Sequence, residues 1–141
     1  MKRILSAILI LVIIIPFASC GSKKSFFVGK WVAEYQAGSM TYELKSDGTV
    51  LFSCTDLDIK NLKGTWKCDG EVRVVVNLLY DSTDYELEGR LIYKDGSTWG
   101  GESKNVDSIK ELNEVLSSNP GYVCGLWMDA PPSRTSIFYK K

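Results

Sequence analysis

The chain has 141 residues, 45% of them apolar, with 17 basic and 17 acidic side chains and no histidine. That length suits one domain of moderate size, and the missing imidazole excludes Ser-His and Cys-His nucleophile pairs, a histidine general base and any mixed Cys/His zinc site. The balanced charge includes no clustered basic face of the kind that grips nucleic acid.

The first twenty residues differ in kind from the rest. Lys2 and Arg3 precede an almost unbroken aliphatic run from Ile4 to Ile15, which Pro16 ends. A helix that crosses the hydrocarbon core needs roughly 20 apolar residues, so this run has the length of a signal peptide and falls short of a span. The order Ala18-Ser19-Cys20 that follows resembles the lipobox of bacterial lipoproteins. The resemblance implies removal of residues 1–19, a palmitate-bearing lipid on the Cys20 sulfur, and export to a bacterial membrane, either the outer membrane or the cell surface. Each buried acyl methylene contributes about 0.8 kcal/mol, so two or three chains hold a domain at a bilayer without a spanning helix. Residues 20–26 are expected as the lipidated cysteine and a flexible polar tether, with 27–141 as the domain. Without Lys2 and Arg3 the 17 basic residues fall by two to 15, against 17 acidic ones.

From Val28 the pattern has period two. Met40, Tyr42 and Leu44 alternate with polar neighbours, as do Tyr85, Leu87, Gly89, Leu91 and Tyr93. Such alternation predicts half-buried antiparallel strands, near 28–35, 40–46, 49–54, 62–68, 71–79, 84–94 and 97–101. Asp47-Gly48, Asp69-Gly70 and Asp95-Gly96 separate these runs, and Asp-Gly supplies the positive φ angles of a two-residue hairpin turn. One helix is expected near 107–117, where Val106, Ile109, Leu112, Val115 and Leu116 recur at helical spacing, with Asp107 as N-cap and Asn119-Pro120-Gly121 as the stop. Two further strands, at 122–128 and 136–139, flank Pro131-Pro132. The fold class is therefore mainly β, an antiparallel up-and-down meander of about seven to nine strands, and closure into a small barrel would remove its edges. Gly64 and Gly89 fall inside strands, as expected at barrel bends.

At this point three further elements carry a second resemblance. Gly29-Lys30-Trp31 opens the first strand, Thr83-Asp84-Tyr85 stands in the middle of the chain, and Arg134 comes late. Together they resemble the short motifs of the lipocalins. The resemblance implies that the three elements meet at the closed end of the barrel, with Arg134 stacked over Trp31 in a cation–π contact of about 0.5–2 kcal/mol.

With Cys20 lipidated, Cys54, Cys68 and Cys124 remain, enough for one disulfide at most. In a simple hairpin Cys54 would lie opposite about Leu62, leaving Cys68 some 20 Å away, far beyond bridging distance. Cys124 bridged to either of the others, or three free thiols, are the open alternatives. No C-x-x-C spacing supports a metal site.

Alternation puts Tyr42, Phe52, Trp66, Tyr85 and Tyr93 on the apolar side of their strands, either as core or as the lining of a pocket for a small apolar molecule. Gly64, two residues before Trp66, is expected to leave space beside it. The acid pairs Asp56/Asp58, Asp81/Asp84 and Glu86/Glu88 have the spacing of solvated turns and strand faces rather than of a calcium loop or a glycosidase pair. No phosphate loop or nucleophile elbow occurs, so no enzyme activity and no cofactor are expected. Two functions remain: a membrane-anchored, lipocalin-like binder of a small hydrophobic ligand, or an envelope protein-interaction module with a filled barrel and exposed aromatics, for which Trp99 and Trp127 are candidates.

Overall fold

The computed structural model describes residues 21–97 and 102–141. Cys20 and the rest of the leader, Trp99, and most of the strand expected at 97–101 lie outside the described residues. In chain order the elements are α1 (Gly21–Phe27), β1 (Gly29–Tyr35), β2 (Gly38–Leu44), β3 (Thr49–Cys54), β4 (Ile59–Cys68), β5 (Arg73–Tyr80), β6 (Thr83–Asp95), β7 (Lys104–Asn105), α2 (Ile109–Ser118), β8 (Tyr122–Ala130) and β9 (Arg134–Lys140). The strands run β5-β4-β3-β2-β1-β9-β8-β6, and pairing of β5 with β6 closes these eight into a barrel. Every neighbouring pair is antiparallel. β6 is long enough to serve two partners on one edge. Its first part pairs with β5 as far as Arg90, and Ile92 and Tyr93 then pair with the short extra strand β7.

Strand direction sorts the connections to two ends. One end carries α1, α2 and the 45–48 and 69–72 turns; the other carries the turns at 36–37, 55–58, 81–82 and 131–133. Two of the Asp-Gly pairs lie in hairpin connections as expected, but in the four-residue stretches 45–48 and 69–72 rather than in two-residue turns, and only their glycines, not Asp47 and Asp69, take positive φ. Gly48 and Gly70 take φ of 86° and 81°, and Asp47 Oδ1 accepts the Thr49 N–H at 2.9 Å. Asp95-Gly96 instead terminates β6, Gly96 donating to the Gly121 carbonyl at 2.9 Å. Its expected partner strand is not formed at Ser97, which lies in a turn. The β5–β6 connection is a two-residue turn without glycine, in which Asp81 and Ser82 hold φ of 50° and 61°, the primed geometry that matches strand twist.

Both helices close the same end. The stretch expected as a flexible tether is helical from Gly21 to Phe27, and Phe27 is fully buried beneath the sheet. α2 begins one residue later than the sequence suggests. Ser108, not Asp107, is the N-cap, its Oγ accepting the Glu111 N–H at 3.0 Å, while Glu111 Oε2 accepts the Asp107 N–H at 2.9 Å. Leu112 is the fully buried residue of α2, with Ile109 and Leu116 packed beside it. Val106, expected on the helical stripe, is buried ahead of the helix. The core lies inside the barrel, where Trp31, Met40, Tyr42, Leu44, Phe52 and Phe138 are all less than 2% exposed.

Candidate functional site

The five aromatic residues expected as pocket lining do not converge on a cavity. Tyr42 and Phe52 are cross-strand partners with ring centroids 4.8 Å apart, and Phe138 closes on Tyr42 at 5.1 Å. Tyr42 donates its hydroxyl to the Asp129 carbonyl at 2.8 Å, and burial pushes that hydroxyl far above its usual titration range. Trp66 sits toward the helical end, its Nε1 donating to the Lys45 carbonyl at 2.8 Å and the Lys24 ammonium standing 5.1 Å from its ring. Tyr93 stacks on Tyr122 at 5.8 Å near the same end. Tyr85 is at the opposite end, near the start of β6.

The space expected beside Trp66 is occupied. A Cβ on Gly64 would lie 2.2 Å from the Asn77 carbonyl oxygen and 2.6 Å from Leu78 Cδ2, so this glycine records the close approach of β5. Two concavities among the described residues lie on the outside. One, of about 730 Å³, runs beside α2 between Glu71 and Asn113; the other, of about 420 Å³, lies near Val28, Glu43 and Asp47. None of the five aromatics lines either.

The motif residues are also distributed differently from the expectation. Trp31 is buried near the helical end and donates Nε1 to the Phe27 carbonyl at 2.8 Å. The cation over its ring is Lys140, at 5.7 Å, and not Arg134. Strand direction explains the correction, because Arg134 begins β9 and Thr83 begins β6, both at the end away from Gly29 and Trp31. Thr83 and Asp84 are exposed there.

Arg134 instead forms the centre of a polar knot at the turn end. It reaches Asp56 with both terminal nitrogens, Nη2 to Oδ2 at 2.5 Å and Nη1 to Oδ1 at 3.2 Å. Tyr35 donates a short hydrogen bond to the same Oδ1, and Cys54 Sγ donates to it at 2.9 Å. The guanidinium also lies over the Tyr35 ring, 5.8 Å from its centroid. The Arg134 guanidinium first, then the Cys54 thiol and the Tyr35 hydroxyl, hold the Asp56 carboxyl well below the usual carboxylate range. Burial, followed by the Asp56 hydrogen bond, drives Tyr35 upward. Each group is spent on another, so the knot fastens three turns rather than presenting a nucleophile. The spacing of Asp56 alone matches a solvated turn acid, because its partner lies 78 residues away and no local pattern links the two.

No disulfide joins Cys54, Cys68 and Cys124 to one another among the described residues, so neither expected bridge to Cys124 is formed there. Cys54 is opposite Ile59 rather than Leu62, because the register shifts between Phe52 and Cys54. Of the two tryptophans expected to be exposed, Trp127 is described, and it faces outward from β8 with 47% of its surface exposed. No group of metal-ligating side chains occurs among the described residues. No protein-family model, curated protein or solved structure matches the chain.

Proposed function

We propose that the chain is a lipid-anchored cell-envelope lipoprotein with a lipocalin-like barrel that acts as a non-catalytic protein-interaction module. The anchor is supported by the sequence order of a cationic start, a short aliphatic run and Ala18-Ser19-Cys20. The choice of an interaction module over a carrier of small apolar ligands rests on one observation. The barrel interior is filled by the chain's own side chains, with Tyr42, Phe52 and Phe138 in mutual contact and β5 against Gly64, while Trp127 is exposed on the outside. A ligand-binding barrel of eight strands has an interior only just wide enough for one small molecule, and here aromatic rings take that volume.

Two measurements test this. In the producing cell, Cys20→Ser is expected to abolish palmitate labelling and membrane fractionation, and membrane association that persisted in the variant would overturn the anchor. Titration of the purified chain with an apolar fluorescent probe is expected to give no saturable signal. One-to-one binding that Trp66→Ala removes would overturn the interaction reading in favour of the carrier.

A further inference from the structure

Charge is divided unevenly between the two ends of the barrel. At the turn end Asp58, Asp81 and Asp84 are exposed with Lys60 as the nearby cation, since Arg134 is spent on Asp56. At the helical end a group of lysines surrounds α1, and contacts join them into one surface. Lys30 and Lys45 line a single concavity of about 420 Å³ that also includes Gly29. Lys140 lies against that glycine, where a Cβ would meet its Cε at 3.0 Å. Lys24 reaches the 45–48 turn, its Nζ 3.6 Å from the place of a Cβ on Gly48 and 5.1 Å from the Trp66 ring. The Trp66 N–H donates to the Gly48 carbonyl at 2.9 Å, which brings the exposed Lys67 beside the same turn.

None of these five lysines makes an ion pair among the described residues. Lys140 gives its ammonium to the Phe26 carbonyl and Lys24 places its own over Trp66, so neither is matched by a carboxylate. Three acids stand among them. Glu43 is the register partner of Lys30, Asp47 accepts the Thr49 N–H, and Asp69 lies just past the end of β4. Five lysines against these three acids leave the α1 side cationic. α2 shares the same end but carries Asp107, Glu111 and Glu114 around Lys110, so the cationic surface is confined to the side of α1.

We infer that the α1 side of the helical end seats on an anionic bilayer surface, with Lys24, Lys30, Lys45, Lys67 and Lys140 on phosphate-bearing headgroups. α1 begins at Gly21, the residue after Cys20, so a lipid on that sulfur enters the bilayer beside these lysines. A basic patch next to an acyl anchor supplies a second hold on the membrane, and each lysine close to an anionic surface strengthens that hold about fivefold. The same surface repels the acidic turn end. The barrel therefore leans on its α1 side and turns the Asp56–Arg134 knot away from the membrane. The inference rests on the anchor proposed above and adds to it an orientation and a lipid class.

The test places the lipidated chain in nanodiscs of phosphatidylcholine alone, or of phosphatidylcholine and phosphatidylglycerol in equal parts. A membrane-impermeant reagent acylates lysine amines, and mass spectrometry reads the rate at each position. From the neutral to the mixed bilayer, the rates at Lys30, Lys45 and Lys67 should fall about fivefold, while Lys60 at the turn end and Lys110 on α2 keep theirs. High salt should lift this protection, because it screens exposed charges. Lys45→Glu combined with Lys67→Glu should return Lys30 to its rate in the neutral bilayer, with circular dichroism as the check on folding. Equal rates in the two bilayers overturn the inference, as does a fall shared by Lys60 and Lys110 or a double variant in which Lys30 stays protected. A chain that leaves the neutral nanodisc lacks the anchor and overturns both readings, whereas an anchored chain with equal rates overturns this one alone.

Discussion

Lys140 and Trp31 are register partners across the seam between the first and last strands, and the Lys140 ammonium lies 5.7 Å from the Trp31 ring centroid. The same ammonium donates to the Phe26 carbonyl at 2.7 Å, and the Trp31 indole donates to the Phe27 carbonyl. The last strand, the first strand and the N-terminal helix are thus joined by two side chains. The seam has few other ties, since the β1–β9 ladder has two residue pairs against eight between β5 and β6.

Lys140→Ala is therefore expected to destabilise the domain by about 0.5–1 kcal/mol, the value of an exposed cation–π contact. A double-mutant cycle in urea between Lys140→Ala and Trp31→Phe should show coupling. The corresponding cycle between Arg134→Ala and Trp31→Phe should show none, because the two residues stand at opposite ends of the barrel.

The meander, its closure and the capping helix were legible because each rests on local signals. Alternation marked the strands, Asp47-Gly48 and Asp69-Gly70 marked turns, and the spacing of Ile109, Leu112 and Leu116 marked α2. The exchange of Arg134 for Lys140 over Trp31 was not legible, because which end a residue occupies depends on the parity of all preceding strands. The Asp56–Arg134 pair escaped for a similar reason. Asp81-Ser82 lacks glycine and yet makes a tight turn, since short polar side chains tolerate positive φ. Burial of Trp66 could be read from alternation, but the occupied space beside it could not, because the Asn77 carbonyl that fills it belongs to another strand.

The Asp56–Arg134 knot should make stability pH-dependent at the acid end. Its folded carboxyl titrates below the ordinary value of 3.8, so the unfolded chain takes up the proton first as pH falls. The contribution is fully present above that ordinary value and is lost as pH drops through the depressed one. Asp56→Asn should therefore lower the thermal midpoint by a constant amount above about pH 5, and the gap to the parent should narrow below pH 3.8. A gap that widened in acid would contradict the arrangement.

Gly64 and Gly121 offer a paired test of strand packing. A methyl at Gly64 must displace the β5 backbone, whereas one at Gly121 meets only Asp95 Oδ1 at 3.9 Å. Gly64→Ala should cost about 1–3 kcal/mol by overpacking, while Gly121→Ala should stay within about 0.5 kcal/mol of the parent. Chemical denaturation of the two variants reads the difference directly.

Cys124 should resist alkylation. Burial pushes its thiol up to about 11, against a slight opposing pull from Lys140, and the thiolate is the reactive form. Iodoacetamide labelling of the folded chain, mapped by mass spectrometry, should be negligible at Cys124 near pH 8 and rise as pH approaches 11. The raised value also sets a stability sign. The contribution is fully present below the ordinary value of 9.0 and is lost as pH rises through about 11. Labelling of Cys124 at neutral pH without unfolding would show a thiol that is open to solvent.

Trp66 and Trp127 provide the sharpest contrast between core and surface. Trp66 is 4% exposed, bonded through its indole N–H to the β2–β3 turn and covered by Lys24. Truncation to alanine removes a large buried ring and leaves a void that β4 and β5 cannot both close, since Gly64 already holds them at contact distance. Trp66→Ala should thus cost about 3–5 kcal/mol, a large part of the usual folding margin of about 5–15 kcal/mol. Trp127→Ala removes a ring that is 47% exposed on the outer wall, so it should change stability by about 1 kcal/mol or less. Urea unfolding followed by far-ultraviolet circular dichroism measures both. A Trp66→Ala variant as stable as the parent would mean that the indole lines empty space, whereas strong destabilisation places it in the packed wall of a filled barrel.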